Sequence, residues 1–126
     1  IHGSMQEQDY LFITVEGDDP NKRDEICATY NLPEVRGLLS VGLGRVGYRQ
    51  EEGDFRTVFN EDKSRVEVYF RPKNEEEILC LTSYKPREDE LEDMLVQSGF
   101  DIHFLKFYEE VHTFAVLCNK GGKQNV

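Results

Sequence analysis

Much of the chemistry open to a small protein is excluded by what this sequence lacks. Cysteine is scarce, 3 in 126 residues. Cys27, Cys80 and Cys118 each sit in an apolar stretch, and no two have the C-x-x-C spacing of a zinc or redox site. An odd, scattered set reads as buried, reduced thiols. Histidine is equally thin, with His103 and His112 in the last third and no H-x-x-x-H spacing, so no metal site is expected. No apolar run approaches the roughly 18 residues of a membrane span. The first residues carry neither a basic segment nor a hydrophobic signal core. The expectation is a cytoplasmic or nuclear protein without membrane attachment. Ile1-His2-Gly3-Ser4-Met5 reads as a leader left by cloning, so His2 is set aside from site reasoning.

Basic residues are few as well: 15 Lys and Arg stand against 25 Asp and Glu, a formal charge of -10. That charge repels nucleic-acid backbones and anionic membranes and favours a basic protein partner. Direct nucleic-acid binding is not expected. At 126 residues, with 38% hydrophobic residues, the chain is long enough to bury a core without disulfides or metals. The expectation is one domain over 6–118, with 1–5 as leader and 119–126 as a frayed tail.

The pattern along the chain implies an α+β fold. Residues 9–15 (DYLFITV) are β-branched and aromatic and end in a Gly-Asp-Asp-Pro turn, which marks a strand. Asp19-Pro20 then opens a helix to about Tyr30. Val35, Leu38 and Leu39 keep helical spacing, although Leu38 to Val41 is equally consistent with a strand. Residues 46–50, 55–60, 65–71 and 78–84 alternate between polar turns, as in an antiparallel meander. Phe55, Thr57 and Phe59 share one face, as do Val66, Val68 and Phe70. Pro86 opens a second helix with a Leu91, Met94, Leu95 stripe, closed by Ser98-Gly99 with Phe100 folding back on Leu95. Residues 102–108 and 112–118 close the chain as a hairpin, with Ile102 and Phe104 on one face and Leu105 and Phe107 on the other. The order β-α-(β meander)-α-β-β implies a single antiparallel or mixed sheet with two main helices on one face.

A meander sends successive turns to opposite ends of the sheet. Glu51, Glu52 and Asp54 therefore share an end with Glu75, Glu76 and Glu77, an acidic rim suited to a basic partner. Phe104 and Phe107, if exposed on an edge, would form a homodimer surface. Gly42-Leu-Gly44-Arg-Val-Gly47 matches G-x-G-x-x-G, but no helix is expected to start there, as pyrophosphate binding requires. With Arg45 and Arg49, the segment is a second candidate, a loop for an anion or small ligand. A Cys118, His103, His112 and carboxylate set lacks any nucleophile elbow, so no catalytic residue and no cofactor is assigned.

Residues 78–120, in particular EILCLTSYKP, PREDELEDMLVQSGF and DIHFLKFYEEVHTFAVLCNK, loosely resemble the closing strand, helix and paired strands of class I methyltransferases. The resemblance covers about a third of the chain. It implies a methyl donor held by a glycine-rich loop after the first strand, and here the meander after Gly47 departs from that order. Three expectations follow. The first is a non-catalytic interaction or regulatory domain for a basic partner. The second is a nucleotide- or methyl-donor-binding, transferase-like domain using Gly42 to Gly47. The third is an acidic nucleic-acid mimic.

Overall fold

The computed structural model describes residues 1–121. The fold is α+β with antiparallel strands throughout, and the strands form two three-stranded sheets where one was expected. The chain divides into two compact units. One comprises residues 1–19 together with the chain from Lys85 on; the other is the continuous segment Pro20–Tyr84.

The discontinuous unit contains β1 (Tyr10–Glu16), α3 (Glu88–Gln97), β5 (Phe100–Tyr108) and β6 (Thr113–Lys120). Its sheet has the order β1-β6-β5, with β6 central and antiparallel to both neighbours. Alternation in YLFITVE turns Leu11, Ile13 and Val15 to the core, where they meet Leu91 and Leu95 of α3 and Phe114, Val116 and Cys118 of β6. Helix α3 starts where the Glu90 carboxylate accepts the Arg87 backbone N–H at 2.9 Å. It stops at Gly99, whose φ of +90° only glycine adopts freely. Phe100 then folds into the same core as Leu95, as its spacing predicts.

A bulge at His103 sets the faces of β5. Ile102 pairs with Cys118 and Phe104 with Leu117, so one residue of β5 is unmatched. Ile102, Leu105 and Phe107 therefore share the core face, while Phe104 turns outward. Strict alternation had put Ile102 with Phe104, and the extra residue reverses that pairing. Met5, within the expected leader, packs against this core, and its carbonyl accepts the Lys120 Nζ at 3.0 Å. Of the expected tail, Asn119 and Lys120 belong to β6, and residues 122–126 lie outside the described residues.

The continuous unit contains α1 (Arg23–Ala28), α2 (Pro33–Arg45), β2 (Gly53–Asn60), β3 (Arg65–Pro72) and β4 (Ile78–Tyr84). The order β2-β3-β4 is the expected meander with three strands instead of four. Val46 to Gln50 is not a strand, because α2 takes in Leu38 to Arg45 and the chain must then turn. Val66 and Val68 of β3 are fully buried with Ile26 of α1 and Leu39 of α2, and Phe55, Phe59 and Leu81 pack around them. Phe70 is also fully buried, its ring 5.0 Å from that of Phe55.

Candidate functional site

Two acidic runs of the continuous unit, Glu51 to Asp54 and Glu75 to Glu77, lie at one end of its sheet. Gly53 pairs with Pro72, and the Lys73 N–H donates to the Glu52 carbonyl at 2.9 Å, which pins residues 50–52 against the β3–β4 turn. Asn74, with φ of +63°, makes that turn tight. An open cavity of about 530 Å³ is lined there by Arg71, Asn74, Glu75, Glu76 and Glu77. The rim is not uniformly acidic. Arg56 donates to Glu77 from Nε at 2.9 Å and Nη2 at 2.6 Å, and Arg49 lies 3.7 Å from Glu52. The Tyr48 hydroxyl donates to Glu75 at 3.2 Å. The Arg56 fork holds the Glu77 carboxyl below the usual range, and the Glu75 charge pushes the Tyr48 phenol up. Glu51, Asp54 and Glu76 are exposed and make no ion pair among the described residues.

Behind the rim, the outward face of β2 and β3 carries a chain of polar contacts. The Arg56 guanidinium lies 4.6 Å from the Tyr69 ring centroid. The Tyr69 hydroxyl donates to Glu67 Oε1 at 2.8 Å, while Arg65 and Asn60 donate to Glu67 Oε2 at 2.7 and 3.2 Å. Glu67 is buried, and this set of donors, the Tyr69 hydroxyl foremost, holds its carboxyl below the usual range. Sequence reading gave Glu67 no role. Its signal was the triplet Arg65, Glu67, Tyr69 at strand spacing, which places all three on one face.

The glycine segment takes a different form from the expected loop. Gly42, Gly44 and Arg45 lie in the last turns of α2, and Gly47 follows with φ of +92°. The Tyr48 N–H reaches the Leu43 carbonyl at 2.9 Å and the Gly47 N–H the Gly44 carbonyl at 3.2 Å, a Schellman closure of the helix. A helix C-terminus presents carbonyls and a negative dipole end, the wrong polarity for a phosphate. Arg49 lies beyond the turn, against Glu52. The strand Ile78–Tyr84 and the hairpin of β5 and β6 belong to different sheets. The loop that the methyltransferase resemblance requires after a first strand therefore has no counterpart here.

The discontinuous unit presents two further features. Phe104 is exposed on the outer face of its sheet, whereas Phe107 faces the core with its ring 4.7 Å from Phe114. The two phenylalanines therefore do not form one surface. Phe104 instead joins Tyr10, Phe12 and Tyr108, all exposed. Sequence reading placed Tyr10 and Phe12 in a strand without assigning their face; their signal was alternation with Leu11, Ile13 and Val15. The second feature is a charge cluster around Gly17. Lys85, 4% exposed, lies 3.6 Å from Glu16, and His112 Nδ1 lies 3.8 Å from Asp19. Burial pushes all three thiols up, and Asp24 adds to the effect at Cys27. Among the described residues, no group of three or more His, Cys, Asp and Glu is placed to hold a metal ion, and no helix is long and apolar enough to cross a membrane.

No protein-family model matches the chain, and no curated protein matches it.

Proposed function

We propose that this chain is a non-catalytic interaction module that engages a basic protein partner, with the acidic rim of the continuous unit as its docking edge. The reading is carried by Glu51, Asp54 and Glu76. They are exposed carboxylates at one end of one sheet, without ion pairs of their own among the described residues, beside an open cavity. Carboxylates that already have a cation gain little from a second one, whereas unpaired ones steer and hold a basic surface. Glu75 and Glu77 form the supporting part of the rim, turned by Tyr48 and Arg56.

The reading is tested by affinity capture with the full chain at low salt and at about 0.5 M, where screening reaches within a few ångströms. A parallel bait carries Glu51→Lys, Asp54→Lys and Glu76→Lys. The expected result is a basic protein held at low salt, released at high salt and lost with the substituted bait. Retention that ignores both salt and the substitutions would overturn the reading.

A further inference from the structure

We infer that the outer face of the β1-β6-β5 sheet is a second docking surface, one that takes arginine side chains of an extended basic segment by stacking them on Phe12, Phe104 and Tyr108. The inference rests on the reading of the chain as a module for a basic partner and adds a surface on the other unit.

The strand register lays out the face in rows. Phe12 lies opposite Leu117, which lies opposite Phe104, forming an apolar band across all three strands. Two residues along each strand, the next row is Thr14, Ala115 and Lys106, and the one after is Glu16, Thr113 and Tyr108. The side chains of the middle row on β1 and β6 are small. The middle row is therefore low between the row of Phe12 and Phe104 on one side and the row of Tyr108 on the other. Phe12 is 63% exposed, Phe104 44% and Tyr108 40%. Rings so open on a sheet face are an apolar surface left largely uncovered among the described residues.

Charge identifies the occupant. The discontinuous unit holds 13 of the 25 acids and five of the 15 basic residues. Asp101 stands on the face itself with Glu16, which already faces Lys85 at 3.6 Å, and the exposed Glu109 and Glu110 follow Tyr108 directly. A second copy of this chain would bring like charge to the face, and a nucleic acid would bring phosphates to carboxylates. A cation that also prefers aromatic rings meets neither obstacle. The face already holds one such contact, with Lys106 Nζ 4.9 Å from the Tyr108 ring centroid. The chain's own arginines behave alike: Arg23 lies 4.5 Å from the Phe59 centroid and Arg36 4.2 Å from that of Phe55. Guanidinium stacks flat on a ring and sheds water more readily than ammonium, so arginine is preferred to lysine.

The test is an NMR titration of the full isotope-labelled chain with a 12-residue Arg-Gly repeat peptide, a matched Lys-Gly peptide and a single-stranded oligonucleotide. The variant Phe12→Leu with Phe104→Leu keeps apolar bulk and removes the rings. Phe12→Ala with Phe104→Ala removes both, and thermal melting of each variant checks that it is folded. The expected result is that the arginine peptide shifts the amides of β1 and β5 and binds several-fold more tightly than the lysine peptide. The leucine variant should bind it about tenfold more weakly and lose the preference for arginine. If the arginine peptide binds but the leucine and alanine variants match the parent, this surface is overturned and the basic-partner reading stands. If neither basic peptide binds at low salt, both fall. Tighter binding of the oligonucleotide would overturn the charge argument.

Discussion

Arg56 grips Glu77 through two guanidinium nitrogens while its plane rests on the Tyr69 ring. One residue thus links the acidic rim to the buried carboxylate of Glu67, which the same tyrosine holds from its other end. The rim is therefore two populations of acid, those already partnered and those still open to solvent.

Charge reversal should separate these populations. Glu76→Lys is expected to slow association with a basic partner several-fold at low salt, with little change in melting temperature. Arg56→Ala should speed association, because it frees Glu77 and removes a neighbouring cation, both of which make the rim more acidic. Stopped-flow association rates measured across a salt series check both outcomes.

Two glycines should respond to alanine with opposite sign. A Cβ at Gly53 would lie 2.2 Å from the Arg71 carbonyl oxygen across the β2–β3 ladder, and backbone cannot step aside. Gly53→Ala should therefore destabilise by about 1–3 kcal/mol. A Cβ at Gly44 meets nothing within 4 Å, and the residue is helical. Gly44→Ala should stabilise by up to about 1 kcal/mol. Urea denaturation of the two variants side by side gives the signs.

Each unit has its own core, and core truncation should register locally. Leu91, 1% exposed, anchors α3 on its sheet, and Leu91→Ala should cost about 2–5 kcal/mol. Phe70→Ala in the other core should cost about 3–5 kcal/mol. Amide hydrogen exchange is expected to rise across β1, β5 and β6 in the first variant and across β2, β3 and β4 in the second.

Acid should act partly through Glu67. Its carboxyl titrates lower in the folded chain than in the unfolded one, because Tyr69 and Arg65 donate to the ionised form. The stabilisation is fully present above the unfolded value of about 4.3 and is lost as pH falls through the folded value. Glu67→Gln should lower stability at neutral pH and flatten the loss below about pH 4.3. Denaturation midpoints from pH 7 to pH 3, compared between parent and variant, test this.

The strands with clean alternation were legible in the sequence. Phe55, Thr57 and Phe59, and Val66, Val68 and Phe70, occupy the faces their spacing implies. Helix α3 with its Leu91 and Leu95 contacts and its Gly99 stop was legible for the same reason, a strong period with an unambiguous end, although Met94 of the expected stripe is exposed. Helix α2 was not, because Gly37, Gly42 and Gly44 weaken its helical signature while Leu38, Leu39 and Val41 suit either structure. Reading Gly42 to Gly47 as a loop, where Gly42, Gly44 and Arg45 in fact end α2, is what made the segment look like a ligand site. The His103 bulge left no mark on composition, yet it decides which of Phe104 and Phe107 reaches solvent. The division into two cores was equally hidden, since alternation identifies a buried face without saying what covers it.

The pairing of Tyr10 with Asn119 and of Glu16 with Thr113 sets an order of events during synthesis. Residues 20–84 hold all of β2, β3 and β4 and can close their core as soon as they leave the ribosome. Strand β1, made earlier, has no partner until β6 emerges about a hundred residues later. Through that interval the first strand, with Phe12 and Ile13 side by side, is an open edge exposed to aggregation.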